Sequence, residues 1–237
     1  MASVPHAVWV SRIEKAARDR GKAPRSVLDI ACGTGIVTSL LYQRGYRPVF
    51  GFDIAGPMIA VARTKAAARD EAVEFDVQDA AAFDLPGRTF DMAVCLFDSL
   101  NYILDPAALR DAFGRIYAHL VPGGLLAFDL NTLYALSHDL FTQRNDWGPV
   151  RHDWHAHWDR ENRRCRVDMR FAIDDAETGE TRHFTETHLQ RAYTVPEVLE
   201  WLEAAGFVRI ETFGNYGERP PIAKSDRVLF LAERPDV

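Results

Sequence analysis

Cysteine is scarce in this chain, and what there is lies scattered: Cys32, Cys95 and Cys165 among 237 residues. That spacing excludes a disulfide framework and suits a reducing compartment, so a cytoplasmic location is expected. Long apolar runs are missing too; none approaches the ~18 residues that a membrane-spanning helix needs. The opening Met1-Ala-Ser-Val-Pro-His6 has no basic stretch followed by an apolar core, so no secretory signal is read there. A basic surplus is also absent. The net charge of −6 argues against a nucleic-acid substrate, because gripping phosphates takes a concentrated positive surface. Neither repeats nor low-complexity tracts interrupt the chain. What remains is 47% hydrophobic content, enough for one sizeable core plus an embellishment, and a small molecule as the expected partner. Oligomeric state is not written in these features.

The stretch Val27-Leu-Asp-Ile-Ala-Cys-Gly-Thr-Gly35 is where the chain's chemistry concentrates. A short apolar run carrying one acid leads into glycines, and helical character follows from Ile36, with Val37, Leu40 and Leu41. This reads as a buried strand, a tight turn and a helix N-terminus, a device for holding a nucleotide-like ligand. Gly33 and Gly35 lack a Cβ, so the backbone turns sharply and a ligand can approach it closely. The dinucleotide fingerprint G-x-G-x-x-G wants a third small residue at position 38, where Thr38 stands. An acid nevertheless ends the next apolar strand, Val49-Phe-Gly-Phe-Asp53, correctly placed for ribose hydroxyls.

The rest of the chain alternates between the two periods. Helices are expected over residues 8–20, 36–44, 54–69, 107–120 and 194–204, and strands over 27–30, 48–53, 73–79, 90–97 and 125–130. This βα alternation predicts a doubly wound, mostly parallel sheet whose ligands bind beyond the carboxyl ends of its strands. From about residue 147 the pattern changes to period two, with Cys165, Val167, Met169, Phe171 and Ile173 alternating with Arg166, Asp168, Arg170 and Ala172. Two or three antiparallel strands inserted over the sheet are expected. Thr194-Val-Pro-Glu197 has the form of a capping box. Residues 208–213 and 227–232 read as a final antiparallel pair. The expected division is a core at 1–146, an antiparallel insertion at 147–192 and a closing segment at 193–237.

The pattern D-x-A-C-G-T-G with Asp53 ending the next strand resembles the class I S-adenosylmethionine-dependent methyltransferases. Two further stretches, Asp98-Ser-Leu-Asn-Tyr102 and Phe184-Thr-Glu-Thr-His-Leu-Gln-Arg-Ala-Tyr193, are similar to bacterial members acting on amines, amino acids or amino sugars, with a β-hairpin lid. The resemblance implies a seven-stranded Rossmann-like sheet with S-adenosylmethionine as cofactor. It sets Asp29, Ala31, Gly33 and Gly35 around the methionyl end and Asp53 on both ribose hydroxyls. Ile54 and Met58 would line the adenine, Asp79 and Ala80 would meet its edge, and Trp9 and Leu96 would help enclose the cofactor. The same likeness turns Asp98, Asn101 and Tyr102 toward the sulfonium or the acceptor, puts Asn131 at the pocket rim, and gives Glu186 and Arg191 to the substrate.

His188 is the candidate base, since an ordinary imidazole accepts a proton near neutrality. His152, His155 and His157 are read as lid histidines and not metal ligands, thiolates being absent there. Related enzymes carry an N-terminal segment rich in Tyr and Asp across the cofactor; Val4-Pro-His-Ala-Val-Trp9 stands about where it would end, so either Trp9 and the lid do the enclosing or the chain is truncated, binds weakly or depends on a partner, and an active fold is the expectation. The resulting expectation is methyl transfer to a small molecule, at nitrogen first and oxygen second. A nicotinamide-dependent oxidoreductase and a non-catalytic binder of S-adenosylmethionine are the rival readings.

Overall fold

The computed structural model describes residues 4–236. Met1-Ala-Ser3, on which the reading of a missing leader partly rests, lies outside the described residues. Among those described, no helix is long and apolar enough to cross a membrane.

Seven strands form the central sheet: β1 (Val27–Ile30), β2 (Val49–Asp53), β3 (Glu74–Val77), β4 (Phe90–Cys95), β5 (Leu120–Asn131), β10 (Val208–Gly214) and β11 (Arg227–Glu233). Their order is β10-β11-β5-β4-β1-β2-β3. Only β11 runs against its neighbours, pairing antiparallel with both β5 and β10. The expected doubly wound sheet and its closing antiparallel pair are both present. The chain winds outward from β1 through β2 to β3, then returns to β4 on the other side of β1. The exits of β1 and β4 therefore flank the crevice where such sheets take their ligands.

Strand residues alternate between two cores because successive Cβ atoms point to opposite faces. Leu28, Ile30, Phe52, Phe128 and Phe230 join one cluster together with residues of α4 (Pro106–Ala118) and α6 (Val195–Ala204). Val27, Val49, Met92 and Val94 join the other with Trp9, Val10 and Ile13 of α1 (His6–Asp19) and Leu41 of α2 (Ile36–Gln43). Helix α3 (Gly56–Ala68) accompanies β2 and β3. The capping box at the start of α6 is complete: the Glu197 N–H donates to Thr194 Oγ1, and Glu197 Oε2 accepts from the Thr194 N–H at 2.9 Å. Burial alone would push the Glu197 carboxyl up; paired bonds from Arg163 at 2.9 and 2.7 Å, with those of Thr194, outweigh it and hold it down at about 2.

Two boundaries depart from expectation. Strand β5 begins at Leu120, not 125, because Val121-Pro-Gly-Gly124 does not end the β structure. It forms an irregularity in the β4–β5 ladder between Phe90 and Met92, with Gly123 at φ 75°. The insertion has four strands instead of two or three: β6 (Gln143–Asn145), β7 (Val150–Asp159), β8 (Arg164–Asp174) and β9 (Thr181–Arg191), in that order and all antiparallel. A short helix, α5 (Leu133–Ser137), precedes it. The three-residue β6 is too brief and polar to show a period. One face of the insertion buries Cys165, Val167 and Met169 against Leu136 and Ala192, with Trp154 and Trp158 alongside. The other is charged: Asp153 meets His155 at 3.1 Å, and Asp168 meets Arg166 at 2.7 Å and His157 at 3.6 Å.

Candidate functional site

At the exit of β1 the backbone adopts left-handed conformations at Ala31 (φ 55°), Gly33 (φ 55°) and Gly35 (φ 75°). Gly35 also has no room for a side chain, since a Cβ there would stand 3.1 Å from both Ala62 Cβ and the Phe75 ring. The turn is tied to the next strand by Asp53. One of its carboxylate oxygens accepts the Gly33 N–H at 2.8 Å and the other accepts the Ala55 N–H at 2.8 Å. Beneath the turn Asp29 is buried and accepts from Thr38 Oγ1 at 2.5 Å. Burial, with a smaller push from the Asp53 charge, raises the Asp29 carboxyl to about 7. Around the turn, Ile54, Met58 and Val77 leave large apolar side chains exposed at or just beyond the carboxyl ends of β2 and β3. Asp79 is exposed and accepts from the Ala81 N–H at 2.9 Å, while Ala80 packs against the core.

The exit of β4 is built differently. Leu96 is buried in the α1-side core, and the next two residues, Phe97 (φ 67°) and Asp98 (φ 53°), are both left-handed without being glycine. Such backbone persists only where its surroundings enforce it. Here the enforcing group is Asp129, fully buried on β5, which accepts the Phe97 N–H at 2.7 Å and the Asp98 N–H at 3.1 Å. Tyr216 donates its hydroxyl to Asp129 at 2.8 Å, and the Arg227 guanidinium spans Asp129 and Asp98, reaching Asp98 Oδ1 at 2.6 Å. Gln190 donates to the second Asp98 oxygen and accepts from Asn131 Nδ2 at 3.0 Å. Trp9 lies flat on Tyr216, with ring centroids 4.7 Å apart.

These bonds change the expected roles of three residues. Asn101 is fully buried: its Nδ2 donates to the carbonyls of Asn131 at 3.2 Å and Arg191 at 2.8 Å, and its Oδ1 accepts the Asn131 N–H at 2.9 Å. Fully buried, it presents no atom to a sulfonium or an acceptor. Asn131, expected at a pocket rim, is buried beneath Gln190. Asp98 is buried with both oxygens engaged, and burial pushes its carboxyl up against the pull of Arg227. All three fasten the floor of the site.

Tyr102, by contrast, keeps part of its side chain in solvent while the surrounding protein encloses the rest, and its hydroxyl lies 2.6 Å from His188 Nδ1 on the lid. His188 Nε2 in turn faces Glu186 Oε2 at 3.3 Å. Burial, then the Asp98 charge, pushes the Tyr102 phenol up to about 12. It therefore keeps its proton near neutrality and donates to Nδ1, leaving Nε2–H to donate to Glu186. Arg191, three positions along β9 from His188, turns to the other side and donates to the Leu104 carbonyl at 3.4 Å. Among the described residues no group of three or more His, Cys, Asp or Glu side chains is arranged to hold a metal ion.

A family profile described as a methyltransferase domain matches residues 27–124, the stretch from the glycine turn through the β4 exit to the start of β5. A protein of Geobacillus sp. (strain WCH70) that bears a provisional methyltransferase name is 30% identical over 240 residues, covering 99% of this chain and 95% of that protein. The chain belongs to the methyltransferases. This methyltransferase is also 29% identical to a dTDP-4-amino-2,3,4,6-tetradeoxy-D-glucose N,N-dimethyltransferase of Saccharopolyspora spinosa, over 92% of its own length and 82% of the relative's. An S-adenosylmethionine-dependent methyltransferase of Clostridium acetobutylicum ATCC 824 shares its fold at a TM-score of 0.91 and 24% identity, covering 99% and 94% of the two chains. A sugar N-methyltransferase of Streptoalloteichus sp ATCC 53650 is 26% identical at a TM-score of 0.79, covering 97% and 88%. Sequence reasoning about the methyltransferase missed Phe97, Asp129, Gln190, Tyr216 and Arg227. Only Asp129 had a local signal, lying beside Asn131 in Phe128-Asp-Leu-Asn-Thr132; the partners of the others are far away in the chain.

Proposed function

We propose that this methyltransferase methylates an amine nitrogen of a small molecule held between the strand exits and the lid. The observation that carries the proposal is the hydrogen-bonded run Tyr102–His188–Glu186, which bridges the β4 exit and the lid. Bound S-adenosylmethionine supplies a methyl group on positively charged sulfur. The glycine turn fits that cofactor: the side-chain position of Gly33 is open as far as Met58 Sδ, 3.8 Å away, and the apolar surfaces of Ile54 and Met58 stand exposed beside it. In this reading Ala31, Gly33 and Gly35 cradle the methionyl end, with Asp29 bracing them from below. Asp53 uses its remaining lone pairs for the ribose, Asp79 and Ala80 meet the adenine edge, and Trp9 and Leu96 back the site.

An amine attacks through its lone pair, so its extra proton has to leave. Tyr102 oxygen accepts that proton while its own hydroxyl proton passes to His188 Nδ1, and the imidazolium so formed faces the Glu186 carboxylate. Holding the nitrogen in line with the methyl supplies the larger part of the acceleration, about 7–11 kcal/mol in favourable cases. The amino-sugar N,N-dimethyltransferase and the sugar N-methyltransferase among the relatives support nitrogen as the acceptor atom.

The test is calorimetry of S-adenosylmethionine binding to the native chain and to Asp53→Ala, followed by a screen of primary and secondary amines for S-adenosylhomocysteine release. Losing a charged hydrogen-bond acceptor should weaken binding about 10- to 100-fold. Turnover with phenols or carboxylates but no amine would replace nitrogen by oxygen. Binding with no turnover on any acceptor would leave a cofactor-binding protein in place of an enzyme.

A further inference from the structure

The lid sheet ends on an open edge. Strand β9 pairs with β8 along its whole length, and among the described residues no strand lies on its other side. Only its root is anchored, where His188, Gln190 and Arg191 meet Tyr102, Asp98 and Leu104. From Thr181 to Thr187 every residue is exposed. A run of extended backbone left unpaired on one side is a template for another strand. At its centre is Phe184, 41% exposed although its ring stacks on Phe171 at 4.8 Å.

Charges on such an edge ordinarily keep other chains away. Here they are arranged as their own complement. Strand alternation puts Arg182, Phe184, Glu186 and His188 on one face, and the Asp175 N–H bond to the Glu180 carbonyl, 2.9 Å, extends the ladder to Glu180 on that face. Let a second copy of the strand run antiparallel about a two-fold axis at Phe184. Arg182 of each copy then faces Glu186 of the other, Glu180 faces His188, and Phe184 faces itself. The opposite face brings together only Thr181 with Thr187 and His183 with Thr185. Neighbouring registers lack this match. An axis at His183 sets Glu180 against Glu186, and one at Thr185 sets Arg182 against His188. An axis at Arg182 or at Glu186 sets that charge against itself. Opposite charges directly across a strand pair stabilise it, and like charges destabilise it.

We propose that β9 docks edge to edge on β9 of a second copy about Phe184, joining two four-stranded lid sheets into one and setting Arg182 of each copy beside Glu186 of the other. Directly opposite side chains stand about 4.5–5.5 Å apart at Cβ. An arginine from the second chain thus reaches the carboxylate that faces His188, and the candidate base is completed by two chains. The docking stands without the acceptor reading; only the contribution to His188 rests on it.

The test is sedimentation velocity over a concentration series of the native chain, Arg182→Glu, Glu186→Arg and the double charge swap, with thermal unfolding of each to confirm the fold. One strand per copy makes an interface below the standard size, so the native chain should pass from monomer to dimer at micromolar concentrations. Each single variant sets like charges opposite one another, twice over by symmetry, and should raise the dissociation constant about ten-fold or more. The double swap should return it to within about three-fold of native. A native chain that stays monomeric, a dimer that neither single variant weakens, or a swap that fails to restore association would each overturn the docking. For the site, kcat per chain on an amine found by the screen above should fall as native enzyme is diluted through the dissociation midpoint, and should be low at every concentration in Arg182→Glu. A kcat indifferent to dilution would remove Arg182 from the site while leaving the dimer. Failure of every amine would overturn the acceptor reading, and sedimentation would still decide the docking.

Discussion

The two sides of the crevice are made from different materials. On the β1 side the bonds are short in sequence: Asp53 reaches back 20 residues to Gly33 and forward two to Ala55, and Thr38 lies nine from Asp29. Most of the structure there is backbone, shaped by glycine and tied by one carboxylate. On the β4 side the bonds join distant parts of the chain. Tyr102 and His188 are 86 residues apart, Asp98 and Gln190 are 92, Asp129 and Arg227 are 98, and Asp98 and Arg227 are 129. This side is made of buried charges that satisfy one another. The cofactor needs a cradle common to the family, which local sequence can encode. On the function proposed above, the β4 side is the floor beneath the acceptor, and only the finished tertiary structure assembles it.

The comparison breaks most visibly at Arg227. Arg227→Met would leave Asp98 and Asp129 buried without a partner charge, and stability should fall by about 3–5 kcal/mol in urea unfolding. A loss below about 1 kcal/mol would mean that the β4 side is not held by charge at all. On the β1 side the corresponding probe is pH. The Asp29 carboxyl is raised by burial to about 7, whereas in an unfolded chain it titrates near 4. Between those values the folded protein binds the extra proton, so this group's contribution to stability declines as pH rises through the window. Asp29→Asn, which can still accept from Thr38, should remove that slope and gain at most roughly 4 kcal/mol at pH 8. An unchanged slope from pH 4 to 8 would assign it to another group. The smallest effect tests the bridge between the halves. His188→Gln should lower kcat about a hundred-fold with unfolding and cofactor affinity near native; a matching loss of affinity would make the bridge structural instead of catalytic.

What could be read in advance follows the same division. Asp53 ends an apolar strand beside a glycine turn, and Thr194-x-x-Glu197 is a complete capping signal; both are local, and both stand in the structure as read. The Tyr102–His188 contact was half visible, each residue being marked as chemical without any sign that they meet. Asn101 and Asn131 were misread because an amide at a strand exit looks ligand-facing in sequence, while here the lid folds back and buries both. Residues 121–124 fell between the helix expected to end at 120 and the strand expected to begin at 125, since an irregular ladder has no periodicity to detect. Arg227 had no local signal, because its partners are strand-exit acids on β4 and β5.

The Asn101 side chain has one more consequence. Its single amide holds the carbonyl of Asn131, where the chain leaves the core sheet, and that of Arg191, where it comes back. The whole four-stranded insertion thus departs from and returns to one stapled point. A segment attached in that way is an exchangeable part: it can lengthen, shorten or be replaced by another enzyme's insertion while the parent sheet keeps its register.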